Sequence, residues 1–502
     1  MCGIVGMISD GKPVSGDIIR SLVAQVNRGK QSSGIISSYK NGGGADFDIR
    51  AEGAASDVFK GLNLEEIDQE IGIGHVRYAT AGRNLTRDAQ PRYVPKPGMV
   101  MAHNGQIANY MALRERLEQK RDYKFRTECD VEALLYAFAQ NLIDRKQYEA
   151  KNIDEYVQEK LFPALRDTMD PQGTFSSIGA YSTVTLLDKR GLLAFKDPNG
   201  IRPLTFAKRE SDAGLEYVFA SETVAIPTWF GFSDHEEMKP GEAIFIDHDM
   251  NVYRQEILNH GQKTCIFEAI YFMLAHSRFN GRIVEDIRYD LGIALAMEYR
   301  ELRDRVDLIV DIPKTPIPTA QALANTWNKQ YGGILSNANM RTFQAEEQSQ
   351  RELDARAKFT YNEDRFRGKR VGVVDDSVVR GTNSKQVIEI LYELGAEEVH
   401  FFSTFPPYVG ICPGGVDVAA ENELLIKENT PYNIDVAREK IRATTLNYLS
   451  LGNMLDCLGL DESRVCLGCT REQYPFDMTD YKRFKALRDE QRAAVACRVP
   501  HS

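Results

Sequence analysis

Cys2 stands directly after Met1 and before Gly3. Removal of Met1 leaves a thiol and a free α-amine on one residue. Such an amine titrates near neutrality, at about 7.7–8.0, so it can act as base for its own side chain. Gly3 lets a substrate approach the backbone closely. Alone, a cysteine here is equally a small buried residue opening a strand. Three other segments change that weighing. Gly74-His-Val-Arg-Tyr-Ala-Thr ends a strand in Arg77, which can hold a carboxylate bidentately. His103-Asn-Gly-Gln-Ile ends another strand in Asn104 and Gly105, a side-chain amide and a backbone N–H suited to an oxyanion. Thr127-Glu-Cys-Asp-Val-Glu sets Asp130 at the start of a helix, where it can receive an ammonium group. Singly, these are a surface ion pair, an Asn-Gly turn and a helix N-cap. Together they suit an amino acid held by both ends, with its amide carbonyl at a thiol.

A second constellation lies in Arg370-Val-Gly-Val-Val-Asp-Asp-Ser-Val-Val-Arg-Gly-Thr-Asn-Ser. A buried strand delivers Asp375 and Asp376 to its C-terminal end, where open α/β sheets bind ligands. Two carboxylates suit ribose hydroxyls or a hydrated Mg²⁺. The turn from Arg380 opens a helix whose N–H groups can cradle a phosphate. Ser377, Thr382, Asn383 and Ser384 add polar donors. The segment is neither a Walker loop nor GxGxxG. A third cluster of interest is Cys466-Leu-Gly-Cys469, which by itself is a redox motif, half a metal site or two packed residues. With no second C-x-x-C, a zinc ribbon is not expected.

The elements around these residues divide the chain. In the first half, strands are expected near 3–9, 35–39, 47–52, 71–78, 99–103, 181–188, 192–197, 217–220 and 242–247, with helices over 18–27 and 130–144. That pattern implies a layered α+β domain. In the second half, a helix over 283–305 precedes alternating strands and helices: 307–311, 319–329, 370–374, 384–394 and 398–404. Buried strands followed by helices imply a parallel α/β sheet. The charged stretch 346–369 reads as a loop or flap. The expected units are residues 2–256, 257–480 and a C-terminal helix and tail, 481–502.

Composition limits the function classes. The 502 residues carry a net charge of −10, 43% are hydrophobic and 27% are charged. This is a folded chain of two to three domains, neither disordered nor collagen-like. The N-terminus lacks the features of a signal peptide and no apolar run matches a membrane span, so a cytoplasmic protein is expected. The acidic balance argues against nucleic acid as a partner. Eight cysteines in such a chain are not expected to form a disulfide framework.

Residues 2 to about 250 resemble the N-terminal-nucleophile glutaminase domain of class II amidotransferases. The resemblance rests on MCGIVG, Arg28-Gly followed by Ser32-Ser-Gly-Ile, the Arg77 and Asn104 segments and the Asp130 segment. It implies an αββα sandwich in which Cys2 attacks the glutamine side-chain amide. Asn104 and Gly105 would hold the oxyanion, Arg77 the α-carboxylate and Asp130 the α-amino group. The family has His before Arg-Gly and Gln-Asp or Gln-Glu after it; here stand Asn27 and Lys30-Gln31.

The Arg370 segment resembles the phosphoribosyl-pyrophosphate motif of type I phosphoribosyltransferases. Both halves, with Asp197-Pro-Asn-Gly-Ile-Arg-Pro-Leu, Ala220-Ser-Glu, Lys239-Pro-Gly-Glu, Cys265-Ile-Phe-Glu-Ala and Asn447-Tyr-Leu-Ser-Leu, resemble the iron–sulfur branch of the amidophosphoribosyltransferase family over nearly the whole chain. The resemblance implies that Asp375, Asp376, Ser377, Arg380, Gly381, Thr382, Asn383 and Lys314 bind phosphoribosyl pyrophosphate. It also implies Mg²⁺ on Thr315, Asp375 and Asp376, and a [4Fe–4S] cluster on Cys265, Cys412, Cys466 and Cys469. Glutamine-dependent formation of 5-phosphoribosylamine, the entry to purine synthesis, follows, with a homotetramer and feedback by purine nucleotides. Two segments depart from the family. Ile312-Pro-Lys-Thr-Pro replaces Val-Pro-Asp-Ser, and Ser336-Asn-Ala-Asn-Met before Arg341 replaces a basic run. Lys314, Arg341 and Lys358 are the charges left to compensate. The alternatives are a divergent amidotransferase with another phosphorylated acceptor, and a non-enzymatic nucleotide-binding or oxygen-sensing protein.

Overall fold

The computed structural model describes residues 1–40, 45–78, 86–211, 214–226, 231–336, 359–416, 424–426 and 433–486. Arg341, Lys358, Cys497 and most of the 346–369 stretch lie outside them.

Two antiparallel sheets build the first unit. One has seven strands in the order 233–237, 205–211, 214–220, 3–9, 71–77, 32–38, 47–52. The other has six, in the order 252–256, 242–247, 191–196, 179–187, 99–107, 92–94. The first strand, Gly3–Ser9, is buried along its whole length. Its side chains alternate between two cores, as strand geometry requires. Ile4 and Ile8 meet Val100, Val184 and Ile244 between the sheets. Val5 and Met7 face outward to Ile18 and Leu22 of the helix Ser15–Ala24. On the far side of the second sheet, Val131–Asp144 and Phe162–Met169 form the fourth layer. The arrangement is thus helix, sheet, sheet, helix.

The second unit is a five-stranded parallel sheet in the order 330–331, 308–311, 370–375, 398–403, 445–448. Helices Val284–Glu298 and Ile317–Trp327 cover one face through Leu291 and Leu323 packed with Ile309 and Phe402. Thr382–Glu393 and Ile434–Ile441 cover the other through Val387, Leu391 and Ala437. Coverage of both faces explains the continuous apolar runs of its strands. Among the described residues no helix is long and apolar enough to cross a membrane.

Two expected elements need adjustment. The helix expected over 283–305 stops at Glu298, and Arg300–Arg305 continue as a 3₁₀ turn. The strand expected to end at His103 runs on to Ile107, paired throughout with Gly179–Leu187. The chain around the start of the expected C-terminal segment, of which 481–486 are described, packs on the first unit. Phe484 packs edge-on against Tyr110 at 5.5 Å, and Asp480 accepts from the Ala112 N–H at 3.1 Å. The helix it meets, Tyr110–Arg121, carries a weak apolar stripe and is not evident from periodicity.

Candidate active site

Cys2 precedes the first strand and is 9% exposed, with its Sγ 3.7 Å from the Tyr78 carbonyl. Tyr78 follows Arg77, so the strand end carrying the arginine lies beside the thiol. Gly3 has a different reason from the one expected. A Cβ there would come within 2.9 Å of Val76 and 3.1 Å of Gln25. The glycine admits the protein's own side chains. Met1 is buried among Ala180, Ile201, Cys265 and Phe267, and burial pushes its ammonium down to about 5.

None of the three single-residue alternatives survives. Arg77 is buried rather than superficial, with Asp88 at 3.7 Å. Asn104 lies within a strand opposite Ser182, not in a turn. Its amide oxygen and nitrogen are buried without a hydrogen-bond partner, a costly condition that a ligand oxyanion would relieve at the nitrogen by accepting from it. The next residue, Gly105, has φ +141°, and a Cβ would lie 1.9 Å from the Ala180 oxygen. Only glycine permits this strand pairing. Asp130 precedes its helix but does not cap it. Its Oδ2 accepts from the Ile107 N–H at 2.8 Å and lies 3.4 Å from His103 Nε2. Burial pushes the Asp130 carboxyl up, but His103 and the Ile107 N–H outweigh it and hold it below the usual range.

In the second unit, Asp375, Asp376, Ser377, Arg380, Gly381, Thr382, Asn383, Lys314 and Thr315 all line one cavity of about 920 Å³. Burial pushes Asp376 up to about 6, opposed by hydrogen bonds from the Ser377 and Thr315 hydroxyls. The helix Thr382–Glu393 begins at Gly381, φ +75°, without a side-chain cap, so its first N–H groups are available to a phosphate. A Cβ on Gly381 would press within 2.9 Å of Ile441. The opposite wall includes Lys30 and Tyr78 of the first unit.

Cys265, Cys412, Cys466 and Cys469 line a separate cavity with Ala180, Ile201, Arg202 and Phe476. Three stretches far apart in the chain bring them together. Thr264 and Val465 bridge, the Cys466 N–H donates to the Thr264 carbonyl at 3.0 Å, and the Val409 N–H donates to the Cys469 carbonyl at 2.8 Å. Burial pushes the Cys265 thiol up to about 11 and Cys466 to about 12. Cys457 is not part of this cavity and Cys129 is a buried residue of the glutaminase-like half.

The sequence reading did not assign a role to the ionic network between the units. Glu268 accepts from Arg28 Nη2 at 2.9 Å and from Arg202 Nη1 at 3.0 Å. Arg28 also pairs with Glu222, and all four side chains are essentially fully buried. Asn27 donates to Glu222 at 2.8 Å and to the Phe272 carbonyl at 2.9 Å. Arg202 Nε donates to the Gly414 carbonyl at 2.9 Å. All four charged residues lie inside motifs already noted, and charged residues within otherwise apolar family motifs were the available signal.

A buried N-terminal cysteine is thus joined, across a buried ionic seam, to a polar cavity at the end of a parallel sheet, the arrangement expected of the glutamine amidotransferase class. Residues 62–144 match the model of the glutamine amidotransferase domain family. The chain is 32% identical to the amidophosphoribosyltransferase of Methanothermobacter thermautotrophicus, covering 97% of each protein. It is 36% identical to that of Escherichia coli, covering 91% of this chain and 88% of the relative. A solved structure of glutamine phosphoribosylpyrophosphate amidotransferase from B. subtilis, complexed with ADP and GMP, superposes with a TM-score of 0.80 at 27% identity, over 95% of this chain and 98% of that one. The chain belongs to the amidophosphoribosyltransferase family.

Proposed function

We infer that this enzyme converts phosphoribosyl pyrophosphate to 5-phosphoribosylamine with ammonia drawn from glutamine, releasing glutamate and pyrophosphate, as the first step of purine biosynthesis. The observation that carries the reading is the shared cavity, in which the Asp375–Ser384 loop faces Tyr78, the neighbour of Arg77.

The glutamine half works through this chain's own groups. Loss of Met1 frees the Cys2 α-amine and empties the buried volume next to the thiol. The amine takes the thiol proton, Sγ attacks the amide carbon, and the oxyanion is met by Asn104 and the Gly105 N–H. Arg77 and Asp130 hold the two ends of glutamine. Collapse of the intermediate expels ammonia and leaves a γ-glutamyl thioester, which water cleaves to glutamate. Ammonia then passes within the protein to the acceptor cavity and displaces pyrophosphate from the ribose. Confinement keeps it unprotonated and therefore nucleophilic. Catalysis in the acceptor half consists of orientation and charge stabilisation. Thr315, Asp375 and Asp376 would hold Mg²⁺, which neutralises the leaving pyrophosphate when bound.

Four thiols on one cavity, Cys265 buried and Cys412, Cys466 and Cys469 half-buried, suit a group that binds thiolates. Among the described residues no three His, Cys, Asp or Glu converge tightly enough for a single ion. What favours a [4Fe–4S] group on Cys265, Cys412, Cys466 and Cys469 is that all four line one cavity, since such a cluster takes four thiolates. Its contribution when bound would be a covalent staple between distant segments, because the reaction has no redox step. Protein purified without oxygen is expected to contain about four irons per chain and to absorb broadly in the visible. Cys466→Ser should remove both signals; a colourless, iron-free wild-type protein would refute the assignment.

The segment after Cys412 also touches the thiol centre. Gly415, φ +99°, lies against Gly105, and a Cβ on it would come within 2.8 Å of the Gly105 oxygen. Gly415→Ala is expected to lower kcat for glutamine hydrolysis about tenfold or more by displacing an oxyanion donor. The ammonia-dependent rate should change much less, and an unchanged glutaminase rate would show that Gly415 does not support Gly105.

Pyrophosphate formation, in anaerobically purified protein, from phosphoribosyl pyrophosphate with glutamine or with ammonia tests the main reading; its absence with both donors would overturn it. Purine nucleotides as inhibitors, a homotetramer and a cytoplasmic location complete the proposal.

A further inference from the structure

The acceptor cavity holds a charge contributed by the other half of the protein. Its described lining contains two carboxylates, Asp375 and Asp376, and three cations: Lys314, Arg380 and Lys30. Without Lys30 the charges of the described side chains cancel, so the protein itself, apart from any Mg²⁺ on Asp375 and Asp376, would offer no net positive charge to a substrate bearing phosphate and pyrophosphate. Lys30 is exposed to the cavity, and among the described residues no carboxylate pairs with it.

Its backbone is nevertheless fixed on both sides. Arg28 is anchored by Glu222 and Glu268. Gly29 lies against Arg77 so closely that a Cβ would be 2.2 Å from the Arg77 carbonyl carbon. The Gln31 N–H donates to the Arg77 carbonyl at 3.2 Å, and the Gln31 carbonyl accepts from Gly53 at 3.0 Å. A flexible ammonium stem thus projects from a rigid base that also touches the main chain of Arg77. Such a group can follow a polyanion without remodelling of the loop.

We propose that Lys30, although carried by the glutaminase half, is a substrate-binding residue of the acceptor site that supplies positive charge to phosphoribosyl pyrophosphate. The proposal rests on the functional reading above.

Calorimetric binding of phosphoribosyl pyrophosphate, together with ammonia-dependent kinetics, tests it. Lys30→Met is expected to weaken binding and raise KM for phosphoribosyl pyrophosphate about tenfold, the scale of one lost charged hydrogen bond. Lys30→Arg should stay within a few-fold of wild type, and Lys30→Glu should be worse than Lys30→Met. KM of the wild type should rise more steeply with ionic strength than that of Lys30→Met. Equal binding by wild type and Lys30→Met, or failure of Lys30→Arg to restore it, would overturn the assignment of Lys30 alone. A wild-type protein that neither binds the acceptor nor forms pyrophosphate would overturn the functional reading and this proposal together.

Discussion

Cys2→Ala should reduce glutamine-dependent turnover by about four orders of magnitude or more, because a sole nucleophile has no substitute. The ammonia-dependent reaction should persist near its wild-type rate, since the acceptor cavity is a separate place lined by other residues. Steady-state pyrophosphate release with each donor measures both. A glutamine analogue carrying an electrophile should label wild type once per chain and leave Cys2→Ala unlabelled. Retention of glutamine-dependent activity by Cys2→Ala would remove the thiol from the mechanism. Loss of both activities at once would instead mean that Cys2 supports the fold, so the melting temperature is the companion measurement. The choice of cysteine is specific. Cys129 is also buried in this half, and burial pushes its thiol up to about 12, which leaves it unreactive.

The largest effect on stability is expected at Glu268. Its carboxylate meets two guanidiniums, Arg28 and Arg202, and nothing in this seam is open to water. Glu268→Ala leaves Arg202 buried without its carboxylate, and Arg28 with Glu222 alone. Breaking a buried pair in this way costs about 3–5 kcal/mol. Glu268→Gln keeps the shape and part of the hydrogen bonding, so it should lose less. Urea unfolding of the full chain, followed by tyrosine and tryptophan fluorescence, compares the three proteins. A shift in Glu268→Ala equivalent to under about 1 kcal/mol, the range of exposed ion pairs, would show that the seam is not a stabilising feature.

The pH dependence of this network has a definite sign. Burial pushes Glu268 up, but Arg28 and Arg202 outweigh it and hold it below its ordinary 4.5. A carboxyl depressed in the folded state contributes stability that is present above the unfolded value and is lost as pH falls through the folded one. Wild type should therefore lose stability on acidification below about pH 4.5 more steeply than Glu268→Gln, where the titrating group is absent.

The seam also joins the centres physically. Arg28 is followed by Gly29 and Lys30, which reach Arg77 and the acceptor cavity. Arg202 holds the Gly414 carbonyl, next to Gly415 and Gly105. Each centre thus has a residue from the other half against it. A change at the seam is expected to affect the coupling of the two reactions before it affects either alone.

Much of this was readable in the chain. Strands 47–52 and 242–247 were expected with the bounds they have, because turn residues flank them. The parallel sheet was legible for a similar reason: each of its main strands is a short apolar run followed by a helix-period segment. The helix Tyr110–Arg121 was not, because its polar composition gives little periodicity and only Tyr110, Leu113 and Leu117 are buried. At the sites, the residue types that do chemistry were legible because few side chains can do it. A thiol beside an α-amine, an amide beside a glycine N–H, and paired aspartates before an uncapped helix each restrict the possibilities.

The sequence by itself determined the two folds and the family and named the candidate reacting groups, since local pattern and side-chain chemistry are short-range properties. Only the tertiary structure decided which groups meet. The Asn104 amide is buried without a hydrogen-bond partner in a strand that tertiary packing covers. Lys30 reaches the acceptor cavity because Arg28 is clamped by carboxylates 194 and 240 positions along the chain. Four cysteines share a cavity because stretches separated by up to two hundred residues converge on it. Such contacts depend on how two cores dock, and the free energy of docking resides in buried charges and packed glycines that no short window of sequence contains.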